Sequence, residues 1–202
     1  MLARKSDVDL RNHGVSLISV EGLNFDSFLP LFGKNGIKVP VAVITDADPE
    51  KVLTPGGKPT AHFPALGEAI TPSANALAMK ALEDDFVKVF HGVKTFEYDF
   101  ALHEKNRAAM IAALKDIHPQ IGAALEVTVA GAAGDSAKAQ ALFKGMFERS
   151  EGNVQKGRFA RALAARIEGK HPLWTAGVPG CAWSANHPCE RQASPGQRDR
   201  QR

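Results

Sequence analysis

The first half of the chain has short apolar runs, and the second half has apolar residues at helical spacing. The β-branched runs at 15–20 (VSLISV) and 38–46 (KVPVAVITD) are typical of buried parallel strands. Residues 23–36 between them predict a helix that ends at glycine. Residues 85–102 predict a third strand, ending near His91, and then a further extended piece. The pattern therefore predicts an α/β fold that begins with a parallel βαβ unit.

Beyond these strands the pattern becomes helical. Residues 49–72, rich in Pro, Gly and Thr, predict a long loop, and a helix follows around 75–83. Asp135 is a candidate N-cap for one of the later helices. Four Ala-rich segments are predicted to form these helices: 106–117, 118–131, 135–150 and 153–169. We therefore expect a parallel-sheet core in one domain over 1–170, with a helical region at about 103–168.

Composition restricts the class of protein. A chain of 202 residues with 44% hydrophobic content can bury the core of one domain. No apolar run approaches the roughly 18 residues of a membrane span, and the N-terminus lacks the apolar stretch of a signal peptide. We therefore expect a cytoplasmic protein that does not contact membranes.

The last segment, 171–202, has a different composition. It contains both cysteines, both tryptophans and four arginines, and it shows no apolar period, so we predict disorder. Cys181, His187 and Cys189 do not form the paired, four-ligand pattern of a structural zinc site. Because these arginines supply much of the net charge of +3, the remainder is close to neutral. Any DNA contact must therefore come from a local basic patch.

Two aspartates follow the strand at 38–46. Asp46 and Asp48 are separated by one small residue and followed by Pro49, so both can reach one hard cation such as Mg²⁺. The alternative interpretation is a solvated, Asp-rich turn, which is common. The spacing by itself does not decide between them.

The order of motifs favours the metal site. A VEG strand, then VAVITDADP, KTFEYDFA and NVQKGRFARALAARI occur in this order. Together, over residues 13–168, they resemble the C-terminal Toprim domain of the OLD family of ATP-dependent endonucleases. The resemblance implies a Toprim α/β core with a helical insertion, and metal-dependent DNA cleavage.

The resemblance also implies roles for individual residues. Asp46 and Asp48 match the metal ligands, and Glu97 matches a later carboxylate that helps to hold a second Mg²⁺ or Mn²⁺ ion. Lys156 resembles the lysine that contacts the scissile phosphate. Arg158 and Arg161, with Arg166 further along the same helix, form a basic stripe that can follow a DNA backbone. For each of these side chains, the alternative is an ordinary surface residue.

Glu21, in VEG, resembles the glutamate at the end of the first strand of a Toprim domain. The resemblance places its strand second, however, because a further strand separates the opening glutamate from the aspartates in this family. On this interpretation the EGxxE motif would lie before Met1. We therefore expect weak metal binding and impaired cleavage by this chain.

Other functions remain open. The sequence has no GxxxxGK[ST] motif, so we expect no ATP site and no counterpart of the family's ATPase domain. The expected partner is DNA, with a second copy of the chain as a further candidate. One alternative is a non-catalytic DNA-binding or dimerisation remnant, and another is a receiver-like phosphotransfer module that binds Mg²⁺.

Overall fold

The computed structural model describes residues 9–20, 25–53, 57 and 59–168. Glu21 and the segment 171–202 lie outside these residues, so the predictions made for them stay predictions. In the described part, the strands and short helices of the first half precede a set of longer helices. The helices and strands are α1 (Phe25–Phe28), a 3₁₀ helix (Leu29–Leu31), β1 (Val41–Thr45), β2 (Val52–Leu53), β3 (Pro59–Thr60), α2 (Ala74–Lys80), β4 (Val87–His91), α3 (Phe96–Ala101), α4 (Glu104–Ile117), α5 (Pro119–Gly131), α6 (Gly134–Phe147) and α7 (Lys156–Glu168).

The strands β1 and β4 form a parallel pair. Their register runs from Val41 opposite Val87 to Thr45 opposite His91. Alternate residues of both strands face one apolar cluster, which also contains Leu29 and Met79. Because the strands are parallel, their carboxyl ends lie at the same edge. The prediction of an α/β fold with a parallel sheet is confirmed.

The prediction of a strand at 15–20 is wrong. These residues are irregular, and the side chains of Leu17 and Ile18 are 85% and 74% exposed. A strand needs a neighbouring strand with which to form hydrogen bonds. Among the described residues β1 pairs with β4, and residues 15–20 have no such neighbour. The predicted helix at 23–36 is also shorter, because Pro30 lacks the N–H group that an α-helix would need.

Asp84 joins the turn after the 3₁₀ helix to the start of β4. Its carboxylate accepts hydrogen bonds from the backbone N–H groups of Lys34 (2.7 Å), Phe86 (2.8 Å) and Val87 (2.9 Å). The backbone of Gly33 lies against the Asp84 carboxylate, and a Cβ atom at residue 33 would be 2.4 Å from Asp84 Oδ2. The three N–H donors, that of Lys34 first, lower the pKa of Asp84.

The predicted long loop at 49–72 is present, with the short antiparallel pair β2–β3 inside it. Three successive carbonyl groups of this loop, at residues 62–64, are tied to distant parts of the chain, and we call this segment the anchored strap. The side chains that donate to these carbonyls are, in order, Lys94 Nζ (3.0 Å), Ser136 Oγ (3.3 Å) and Tyr98 OH (2.7 Å). The anchored strap therefore connects the sheet edge with α3 and α6.

Residues 96–101 form a helix, so the prediction of an extended piece is wrong. Thr95 is the N-cap, with Oγ1 accepting a hydrogen bond from Tyr98 N at 3.4 Å. This hydrogen bond stabilises the first turn of a helix in the FEYDFA segment, although aromatic residues are more typical of strands. The segment then packs as α3 against α4 and α6 in the larger of the two apolar clusters.

The four later helices are confirmed, with boundaries within a few residues of those predicted. Asp135 is not an N-cap, because Ala133 occupies that position. The Asp135 carboxylate instead binds the buried guanidinium of Arg107 at 2.5 Å, which holds the start of α6 against α4. None of the described helices is long and apolar enough to cross a membrane.

Removing the Tyr98 hydroxyl should loosen the anchored strap. We expect Tyr98→Phe to lower the free energy of unfolding by about 1–2 kcal/mol, because the buried Pro64 carbonyl loses its donor. Urea unfolding followed by circular dichroism measures this change. Ser136→Ala is the control: it removes the longer bonds of Ser136 Oγ to the Phe63 carbonyl and the Tyr98 hydroxyl (both 3.3 Å) but keeps the Tyr98–Pro64 bond, so it should cost less. Equal stability of Tyr98→Phe and the parent would contradict this view of the strap.

Asp84 should make stability depend on pH. Because its pKa is lowered on folding, the folded state favours the carboxylate, and its contribution is present above the ordinary value of 3.8 and is lost as the pH falls further. We expect Asp84→Asn to destabilise the fold near pH 7, since an amide cannot accept all three bonds. The gap between parent and variant should shrink below about pH 4. Urea midpoints from pH 3 to 7 test this, and a gap independent of pH would contradict it.

Candidate functional site

The turn after β1 is held against the connection between β4 and α3. Asp46 Oδ1 accepts a hydrogen bond from Phe96 N at 3.0 Å. The backbone N–H groups of Ala47 and Asp48 both donate to the carbonyl of Lys94, at 3.0 and 3.2 Å. Ala47 is fully buried between the two aspartates, and Asp48 has a φ of +42° and an exposed side chain. The turn therefore presents two carboxylates at the carboxyl edge of the sheet.

Asp99 organises the other side of this contact. Its carboxylate accepts hydrogen bonds from the N–H groups of Val93 and Lys94, both at 3.0 Å. Gly92 is required next to it, because a Cβ atom there would lie 1.5 Å from Asp99 Oδ2. Burial raises the pKa of Asp99 to about 6, against the effect of the two N–H donors, and the charge of Asp46 adds to the rise.

Sequence reasoning gave Asp99 no role. In the extended segment that the sequence predicts, a spacing of two residues from Glu97 gives Asp99 no particular role. In a helix, a carboxylate in the first turn can reach back to the preceding loop, which is what Asp99 does. Recognition of Thr95 as an N-cap would have indicated this arrangement.

Glu97 and Lys156 form an ion pair across the site. Lys156 Nζ lies 3.1 Å from Glu97 Oε1. Glu97 is in the first turn of α3, and Lys156 is the first residue of α7. The side chain of Lys156 is 57% exposed and that of Glu97 is 20% exposed, so solvent and ligands reach the ammonium more easily than the carboxylate.

These residues act on one another through charge. Burial raises the pKa of Asp46, the hydrogen bond from Phe96 N opposes the rise, and the charges of Asp48 and Glu97 add to it. Lys156 lowers the same pKa. Three predicted site residues, Asp48, Glu97 and Lys156, therefore lie within electrostatic reach of the fourth, Asp46.

The donor set fits a partly hydrated divalent cation. Within the described ranges, no group of three His, Cys, Asp or Glu side chains is arranged to hold a metal ion. Within the described ranges, no donor bonds Asp46 Oδ2, and the Asp48 side chain accepts no hydrogen bond. Mg²⁺ keeps several waters and commonly uses one or two carboxylates together with substrate phosphates. Asp46 and Asp48 match that requirement, whereas a closed protein cage would need more ligands.

The predicted basic stripe is only partly available. Arg158 and Arg161 are exposed on α7 and form no ion pair in the part of the chain that the structure describes. Arg166 was predicted to extend the stripe, but its guanidinium binds Asp116, with Nε 2.7 Å from Oδ2. The two free arginines and Lys156 lie within the first two turns of α7.

The first part of the chain, which includes the turn with Asp46 and Asp48, is similar to a known domain family. Residues 1–48 match the sequence model of a family described as "Overcoming lysogenization defect protein-like, TOPRIM domain". The match ends at Asp48, so it includes both aspartates of the turn. No curated protein and no solved structure matches the chain. Toprim domains generally bind divalent metals such as Mg²⁺. The predicted resemblance is confirmed, and the match supports a Toprim domain of the OLD family in this chain, a domain of the nucleotidyl-transfer or nuclease type.

Proposed function

We propose that this chain is a DNA endonuclease domain of the OLD type that hydrolyses phosphodiester bonds with Mg²⁺ or Mn²⁺. The observation that carries this proposal is the hydrogen bond from Phe96 N to Asp46 Oδ1 (3.0 Å), which joins the turn with Asp46 and Asp48 to the helix start where Glu97 pairs with Lys156 (3.1 Å). The match over residues 1–48 supports it independently. Since its substrate is DNA, we also propose a cytoplasmic location.

Asp46 and Asp48 would hold the metal. A bound divalent ion supplies charge for the phosphate oxygens and lowers the pKa of a water. Burial, and to a smaller extent the neighbouring carboxylates, raise the pKa of Asp46 in the free protein. A cation at this position would offset the repulsion between these carboxylates and favour the ionised form of Asp46. The hydrogen bond from Phe96 N fixes the direction of the carboxylate before the metal arrives.

Lys156 would contact the scissile phosphate. In the free protein it is paired with Glu97, and a pair this exposed contributes about 0–1 kcal/mol. The ammonium can therefore exchange its carboxylate partner for a phosphate oxygen at little cost. That exchange leaves Glu97 available to a second metal ion or its water, while Lys156 offsets charge that develops on the phosphate.

DNA would lie along the first turns of α7. Arg158 and Arg161 are exposed cations without carboxylate partners among the described residues, and they follow Lys156 on the same helix. Phosphate contacts of this kind position a strand without reading its sequence. A local patch suffices because binding to DNA depends on the charges at the contact and not on the whole protein.

The chain should be a weak nuclease by itself. The sequence contains EGLNF at Glu21 and no EGxxE motif, so the resemblance leaves the principal carboxylate of the site without a counterpart. A site that relies on Asp46, Asp48 and Glu97 should bind Mg²⁺ weakly. The alternative is a DNA-binding remnant without catalysis. The two candidates differ in whether a substitution of Asp46 changes metal-dependent cleavage.

The first test is metal-dependent nicking of supercoiled plasmid. We expect slow nicking with Mn²⁺ that falls at least about tenfold in Asp46→Asn, because a metal ligand is lost. Glu21→Gln should nick like the parent, and so should Asp85→Asn, an exposed aspartate outside the site. Calorimetric titration with Mn²⁺ should show binding that Asp46→Asn abolishes.

The outcomes separate the candidate functions. DNA binding without Mn²⁺ binding, unchanged in Asp46→Asn, would contradict the nuclease proposal and favour the non-catalytic remnant. Cleavage lost in Glu21→Gln would show instead that Glu21 is the opening glutamate of a complete site.

Lys156 and Arg158 should separate catalysis from binding. We expect Lys156→Gln to slow nicking about 100-fold at saturating DNA, because it removes charge stabilisation at the phosphate. Arg158→Gln should weaken DNA binding and reduce the slope of log K against log salt by about 1, with little effect on nicking at saturation. Fluorescence anisotropy and single-turnover nicking measure the two effects. A Lys156→Gln variant that loses binding but not the saturated rate would contradict the assigned role.

A further inference from the structure

Asn106 has a buried side-chain oxygen that accepts no hydrogen bond. The residue is 2% exposed in the first turn of α4, and within the described ranges its Oδ1 atom is the buried side-chain oxygen or nitrogen without a partner. The next residue, Arg107, is buried as well, but its guanidinium donates to two backbone carbonyls and to Asp135. Because buried polar groups in native proteins are nearly always hydrogen-bonded, the Asn106 oxygen needs an explanation of its own.

The packing of α4 on α7 locates this oxygen. Two contacts between the helices join residues that are 50 positions apart in the sequence. Arg166 Nε lies 2.7 Å from Asp116 Oδ2, and Met110 and Ala160 line one pocket. Since the spacing is the same at both contacts, α4 and α7 run side by side in the same direction.

Asn106 and Lys156 lie one helical turn before the pair that lines this pocket. Asn106 is four residues before Met110 and Lys156 is four residues before Ala160, so each shares the helix face of its pocket residue. Both are the same distance back along parallel helices, since each residue advances about 1.5 Å. The pocket is also lined by Glu97 and Lys156. The Asn106 oxygen therefore lies at the level of the Glu97–Lys156 ion pair.

A water molecule matches the polar groups at this level. The pocket has a volume of about 60 Å³, which exceeds the roughly 10–15 Å³ that a buried water needs. The Asn106 oxygen and the Glu97 carboxylate accept hydrogen bonds, whereas the Lys156 ammonium has three N–H donors and one carboxylate partner. A water that donates twice and accepts once can bond to all three groups.

We propose that Asn106 Oδ1 holds a water molecule that accepts a hydrogen bond from Lys156, and that this water keeps the ammonium in place when Lys156 exchanges Glu97 for a phosphate oxygen. The inference rests on the proposed function, because it takes Lys156 as the phosphate contact. A lysine side chain is flexible, so without a second fixed partner the ammonium would lose its direction as it leaves Glu97. Asn106 is then a positioning residue, which acts through Lys156 and does not touch DNA.

A high-resolution crystal structure of the full chain tests the water directly. We expect an ordered water within about 3.2 Å of both Asn106 Oδ1 and Lys156 Nζ. An Asn106 oxygen without a water, or with a water that does not bond to Lys156, would overturn the inference.

Asn106→Leu should separate stability from activity. The variant replaces the amide with an apolar side chain of similar size, so its urea midpoint should equal or exceed that of the parent. We expect single-turnover nicking at saturating DNA to fall about tenfold, with the Kd for plasmid unchanged. The matched control is Met110→Leu on the same face of α4, which alters packing but no hydrogen bond and should nick like the parent.

A double variant distinguishes an effect through Lys156 from a general effect on the fold. If Asn106 acts through Lys156, Asn106→Leu should not slow nicking further in a Lys156→Gln background. Unchanged nicking in Asn106→Leu, or the same tenfold loss in the Lys156→Gln background, would contradict the inference. A parent chain that does not nick would contradict the proposed function instead, and the crystal structure would then decide the inference by itself.

Discussion

The structure depends on the backbone contact between the turn after β1 and the connection from β4 to α3. The Lys94 carbonyl accepts two N–H groups of the turn, Phe96 N donates to Asp46, and Asp99 holds the connection from the other side. Because every donor in these bonds is a main-chain N–H group, the path of the backbone sets the positions of both carboxylates. Two parallel strands alone would leave their carboxyl ends flexible, and this contact fixes them.

The same contact has an energetic cost. Asp46 and Asp99 both have raised pKa values, chiefly because burial opposes their ionisation. The fold therefore keeps carboxylates where its own interior disfavours their charge, which is common where a site is organised for a cation. Stabilising interactions lie elsewhere, in the Asp84 carboxylate that joins β4 to the 3₁₀ turn and in the anchored strap.

Periodicity predicted β1, β4 and the later helices well, because their apolar faces are long and regular. It failed at 15–20, where an apolar run has no pairing partner in the described sheet, and at α3, where the Thr95 cap outweighs an aromatic composition typical of strands. For the site, the resemblance predicts Asp46, Asp48, Glu97 and Lys156. It does not predict Asp99, because the role of Asp99 depends on the first helical turn of α3, which only the Thr95 cap indicates.

The candidate site belongs to both halves of the chain. Asp46 and Asp48 follow strand β1, Glu97 lies in α3 directly after the sheet, and Lys156 begins α7 in the helical region. The anchored strap supports this arrangement, because its carbonyl groups accept hydrogen bonds from Lys94 at the sheet edge and from Tyr98 on α3. A helical region that served only to cover the sheet would not need to place an accessible ammonium opposite the aspartates. On the proposed function the helices therefore supply part of the site, and a change in how α7 packs on α4 would move Lys156 relative to Asp46 and Asp48.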